Sequence, residues 1–230
     1  MTSTLARCKP LAKAQNTQPN AVMADKPNLE SAYALETPDD SRKLYAAWAA
    51  TYDTQFADEN HYILHEQVAR HFALMGGFGP VLDVGAGTGL CGEALNARGI
   101  EPVDGTDISA QMLEVARTKG CYRTLFTGNI LTGLDVTPGI YQGAVSAGTF
   151  THGHVGPEGI NTMLDAVRPQ GWVVFSVNAT HYQAAGFADK MAQLKPFISD
   201  YSATEARIYG PKATAPYADD MAILIAFRKA

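Results

Sequence analysis

Residues 81–89 read VLDVGAGTG: an apolar run holding one carboxylate, then glycines at alternate positions 85, 87 and 89. This stretch restricts the fold more than any other. The apolar, β-branched run suits a buried strand. The glycines permit a sharp turn and a close backbone approach where a Cβ would collide. A strand leading through such a turn into a helix opens an α/β unit, whose ligand sits beyond the carboxyl ends of the strands at the switch point.

The rest of the chain after Pro80 repeats this unit. Apolar runs predict strands at 81–84, 102–106, 123–127, 141–147, 171–177, 204–209 and 220–228, and helices fall between them at 89–98, 109–118, 157–168 and 184–194. Such alternation implies right-handed crossovers and a doubly wound, mostly parallel sheet of seven strands covered on both faces. The last two runs lack an intervening helix and should form an antiparallel C-terminal hairpin. Before Pro80, DDSRKLYAAWAATYD offers Asp39, Asp40 or Ser41 as a helix N-cap and places Tyr45, Trp48 and Tyr52 on one face. A second helix is expected near 59–76, where Leu64, Val68, Phe72 and Met75 recur and Gly76-Gly77 closes it. Residues 1–30 hold no aromatic residue and three prolines, too little to build a core. The expected division is a mobile extension at 1–38, a helical cap at 39–78 and a ligand-binding domain at 79–230.

Charge and cysteine content narrow the partners. A net charge of -5 opposes a basic groove for a phosphate backbone, so no nucleic-acid partner is expected. Cys8, Cys91 and Cys121 fit neither a disulfide framework nor a Cys-x-x-Cys site, and are read as free thiols in a reducing, cytoplasmic setting. No run approaches 18 apolar residues, so no membrane association is expected. Oligomeric state is not legible.

Gly87, Gly89 and Gly92 also spell the dinucleotide pattern G-x-G-x-x-G. Against it, the strand ends at Val84, so that register starts two residues late, and no Tyr-x-x-x-Lys pair exists to donate a proton. The register Gly85, Gly87, Gly89 is preferred.

In that register VLDVGAGTGL, PVDGTDISAQMLEVA, TGNI and AVSAGTFTHGHV resemble the successive motifs of the class I S-adenosylmethionine-dependent methyltransferases, over roughly residues 40–230. Their key positions, Gly89, Asp107, Asn129 and Ser146, lie 18, 22 and 17 residues apart, each about one strand-helix step. YAAWAATYD with SAGTFTHGHV is similar to the small methyltransferase-like group named for the Williams-Beuren chromosome region. The resemblance implies a Rossmann-like methyltransferase fold, S-adenosylmethionine as cofactor, no metal, and methyl transfer to an oxygen, sulfur or nitrogen of a small molecule. It also implies that Asp107 takes the ribose hydroxyls and Asn129 lies near the adenine amino group, with Ser146 and Ala147 under the methionine end. At 129 the family often has Asp.

The other cofactor contacts are expected from Asp83, Gly85, Ala86 and Gly87 around the turn, from Ile108, Met112 and Ile130 about the base, and from Tyr45, Trp48 and Tyr52 as an aromatic wall that excludes water and attracts a cation. On the acceptor side, His152 or His154 is the expected proton acceptor, and Phe150, Thr151 and Tyr182, with Phe187, predict a partly aromatic pocket. His61 and His65 are read as a solvated helix face, and Cys91 as packed. Competing functions are a non-catalytic cofactor-binding scaffold, a protein methyltransferase and a nicotinamide dehydrogenase.

Overall fold

The computed structural model describes Pro27, Ser31, Ala32, Leu35 and residues 37–151, 154–214 and 218–230. The expected extension at 1–38 and His152 therefore lie, wholly or largely, outside the described residues. Helix α1 (Pro38–Trp48) starts one residue before the predicted caps: the Thr37 side chain accepts from the amide of Asp40, and Pro38 occupies the first turn, where its fixed φ suits a helix start. The expected helix at 59–76 is shorter: after a π-helical turn (Tyr52–Asp58), residues 59–63 break the helix, with His61 at φ +51 and Tyr62 bridged to Tyr209, and α2 runs only over Leu64–Leu74. Leu64, Val68 and Phe72 face inward as their spacing requires.

The sheet then alternates with helices: β1 (Val81–Val84), α3 (Leu90–Asn96), β2 (Val103–Asp107), α4 (Ala110–Thr118), β3 (Thr124–Thr127), β4 (Tyr141–Phe150), α5 (Gly159–Ala166) and β5 (Val167–Asn178). α6 (Ala179–Ala184) and α7 (Phe187–Leu194) replace the single helix expected at 184–194, since Gly186 at φ +77 breaks the ladder between them. β6 (Ile198–Arg207) and β7 (Met221–Lys229) complete seven strands in the order β3-β2-β1-β4-β5-β7-β6. The first five are parallel, and β7 runs antiparallel to both β5 and β6. β6 begins earlier than predicted because, as an edge strand exposing most side chains, it carries little apolar alternation.

The period of two along β1 sorts its side chains. Leu82 and Val84 join one core layer with Ile160, Met163, Phe175 and Phe187. Val81 joins the opposite layer with Val68, Phe72 and Leu95. Asp83 shares the face of Val81 and is fully buried there. Helices on both faces thus leave the carboxyl ends of β1, β2 and β4 as the open edge.

Candidate functional site

At that edge the amides of Gly85 and Ala86 both donate to Thr106 O, at 2.8 and 2.9 Å. Gly85, Gly87 and Gly89 all have positive φ. A Cβ at Gly85 would lie 2.0 Å from Thr149 Oγ1, so no other residue fits without displacing β4. At Gly87 the space is open and the backbone conformation alone selects glycine.

Asp107 closes β2 beside this turn. Its carboxylate accepts from Gly87 N at 2.9 Å and from Ser109 N at 2.8 Å, and Ser109 caps α4 by accepting from Met112 N. Burial raises the Asp107 pKa, and these backbone donors oppose the rise. A cavity of about 200 Å³ runs across the turn. It gathers Gly85, Ala86, Gly87, Asp107, Ile108, Met112, Asn129, Ile130 and Ala147 as the sequence predicted, with Tyr45, Tyr52, Phe150, Thr151 and His154. Asn129 Oδ1 is already engaged by Leu131 N at 3.0 Å.

Four expected contacts lie elsewhere. Asp83 does not line the cavity: it sits one layer down, accepting from Tyr122 Oη at 2.6 Å, while Tyr122 Oη accepts from Gly92 N. Burial, opposed first by the Tyr122 hydrogen bond, raises its pKa to about 7. Ser146 is spent on the scaffold, donating to Val84 O at 2.7 Å. Trp48 is buried behind the wall, its ring packed on Tyr45 and Tyr52. Tyr182 stacks on the buried ring of Phe187, which itself meets Phe150 edge-on. The predicted aromatic acceptor pocket is therefore largely filled core, because these rings satisfy one another.

The structure adds residues that sequence reasoning missed. Phe56, Tyr62 and Tyr209 extend the aromatic wall, with Tyr62 bridged to Tyr209 and Ile63 N bonded to Ile208 O. His65 also lines the cavity, correcting its reading as a solvated face. Its ring stacks on Tyr62 with 5.5 Å between centroids, Nδ1 is buried without a hydrogen-bond partner, and burial lowers its pKa. Nothing local foretold this, since the partner strands are about 150 residues away. Cys91 lines the cavity with a thiol that burial keeps protonated. Among the described residues no group of three His, Cys, Asp or Glu side chains could hold a metal ion.

The cavity can hold a planar base between apolar side chains, a diol at Asp107 and a cation against tyrosine rings. Residues 81–171 match the family model described as a methyltransferase domain. The 18S rRNA (guanine-N(7))-methyltransferase of Arabidopsis thaliana is 41% identical over 66 residues, 29% of this chain and 22% of that protein, so the match spans about a fifth of that relative's length. The N-methyltransferase NodS from Bradyrhizobium japonicum, solved in complex with S-adenosyl-L-homocysteine, aligns with TM-score 0.61 and 18% identity over 82% of this chain and 98% of that chain. A TehB-like SAM-dependent methyltransferase from Corynebacterium glutamicum gives 0.58 and 18% over 82% and 100%. A chain in the complex of the Haloferax volcanii Trm112 methyltransferase activator gives 0.58 and 16% over 80% and 97%.

Proposed function

We propose that this chain, whose residues 81–171 match a methyltransferase domain, is an S-adenosylmethionine-dependent methyltransferase that moves the methyl group to an oxygen, sulfur or nitrogen of a small acceptor. When bound, the cofactor supplies an activated methyl group. The chain's own work is orientation, which lowers such barriers by roughly 7–11 kcal/mol. The observation that carries the reading is the Asp107 carboxylate, held beside the glycine turn by Gly87 N and Ser109 N. A fixed acceptor pair there suits two ribose hydroxyls, and Ile108, Met112 and Ile130 supply an apolar slot for the base. Tyr45 and Tyr52 stay neutral, since burial raises both phenols, and their rings favour a sulfonium by roughly 0.5–2 kcal/mol.

In this reading 39–78 is a cap over the binding domain at 79–230, with 1–38 an extension to it, and the free buried thiols Cys91 and Cys121 suit a reducing, cytoplasmic setting. YAAWAATYD and SAGTFTHGHV favour the Williams-Beuren-like group within the class. A nucleic-acid acceptor is the second reading, favoured by the local likeness to the rRNA enzyme and opposed by a net charge of -5.

Calorimetric titration with S-adenosylhomocysteine and, separately, NAD tests the proposal. Micromolar binding of the first and none of the second supports it, and binding of neither favours a scaffold. His152→Ala and His154→Ala then test the proton acceptor: at least one is expected to lower turnover by about 10²- to 10⁴-fold with cofactor affinity near wild type. His65→Ala belongs in the same series on the strength of its position.

A further inference from the structure

One side chain joins the segment before the sheet to both the glycine turn and the end of α4. Asp53 lies in the π-helical turn, next to Tyr52. Its Oδ1 accepts from Thr88 Oγ1 at 2.5 Å, and its Oδ2 lies 2.7 Å from Lys119 Nζ. Thr88 stands between Gly87 and Gly89, and is buried. Lys119 follows the last turn of α4, which Ser109 caps and whose first turn carries Met112, and it also pairs with Glu93 of α3 at 2.7 Å. Lys119 is only 12% exposed, so the pair is shielded more than a surface ion pair.

We infer that Asp53 is a positioning residue: its carboxylate clasps the cap to the glycine turn and to α4, and thereby fixes Tyr52 over the site. The inference rests on the reading of the cavity as a cofactor site. Two features favour such a clasp. Backbone bonds on both sides of Thr88 fix the turn itself, from Gly87 N to Asp107 and from Gly89 N to Ala86 O, which leaves the Thr88 side chain to join the turn to the cap. The π-helical turn, a form that often marks functional sites, directs adjacent side chains apart: Tyr52 lines the cavity, while Asp53 stays out of the lining and holds Thr88, which is part of it.

The test uses the full chain and S-adenosylhomocysteine. Asp53→Ala is expected to weaken its affinity at least tenfold and to speed its dissociation. Asp53→Asn is expected to lose less, because the amide oxygen still accepts from Thr88 while Lys119 stays on Glu93. Combining Asp53→Ala with Thr88→Val should add little to Asp53→Ala alone, as two ends of one bond do. In the free protein, Asp53→Ala should speed hydrogen exchange at amides 45–58 at least tenfold and leave β4 and β5 unchanged. Uniform acceleration throughout the sheet, or affinity within twofold of wild type with unchanged exchange at 45–58, overturns the inference. The exchange measurement needs no cofactor, so failure of the wild-type protein to bind S-adenosylhomocysteine removes the proposed function and leaves the clasp to be judged on exchange alone.

Discussion

The glycine turn at 85–89 and the segment at 38–62, which falls almost wholly in the proposed cap, line the same cavity but are held by different means. The turn is a backbone object: positive φ at its glycines, two amides on Thr106 O, and a carboxylate gripped by two more amides. The cap is held by side chains and distant segments. Rings of Tyr45, Trp48, Tyr52 and Phe56 pack on one another, Asp53 reaches 35 residues along the chain to Thr88, and His61 Nδ1 accepts from the amide of Lys212, 151 residues away. A wall made of backbone keeps its shape when a neighbour changes. A wall made of side chains moves with whatever it leans on.

If that contrast is sound, damage to the turn should be large and local, and damage to the cap smaller and spread. The largest effect is expected beneath the turn. The folded pKa of Asp83, about 7, lies above its unfolded value near 3.8. The stability this gives is complete below pH 4 and is lost as pH rises through 7. At about 1.4 kcal/mol per pH unit, Asp83→Asn should gain on wild type by up to about 4 kcal/mol between pH 4 and 8 in urea unfolding. Parallel pH profiles would mean that the Tyr122 hydrogen bond cancels the cost of burial.

Next comes Asp107→Ala, which removes the charged acceptor and frees Gly87 N and Ser109 N. S-adenosylhomocysteine affinity should drop by one to three orders of magnitude, about 1.4–4 kcal/mol. Unchanged calorimetric affinity would sink the ribose assignment.

Gly85→Ala adds a collision with Thr149 Oγ1 and a strained φ of +72, together costing roughly 1–3 kcal/mol or more. Thr149→Ala should relieve the collision and leave the strain, giving partial recovery in melting temperature. No recovery at all would place the whole cost in the backbone.

Smallest is Tyr52→Leu in the cap, which removes a ring from the cavity wall and should weaken the same ligand by about 0.5–2 kcal/mol. A loss as large as that of Asp107→Ala would break the contrast between the two walls.

The same contrast explains what was legible in the sequence. Gly85, Gly87, Asp107 and the Ser109 cap obey rules that act over a few residues, and they stand where those rules put them. Asp83 was misplaced because alternation along a strand says which side chains share a face, but not that a tyrosine 39 residues on would take its carboxylate. Tyr182 and Phe187 looked like a pocket because aromatic composition does not reveal which rings meet each other. His65 and Tyr62 were missed for a related reason: a helix pattern shows an inward face, whereas the β6–β7 connection decides what that face meets.

The π-helical turn has a consequence for register. It takes up more residues per turn than an α-helix would, so Tyr52–Asp58 holds surplus chain between the ring of Trp48 and the Tyr62–Tyr209 bridge. A one-residue deletion within it would let the segment relax into ordinary α-helix with both ends still anchored. Within the shortened turn each remaining side chain would take a new direction, at about 100° per residue around the axis, so Tyr52 and Asp53 would no longer serve the cavity and the clasp together. The turn therefore sets the phase of the cap: sequences that keep each residue type here but alter the count would keep the fold and lose the alignment of its two walls.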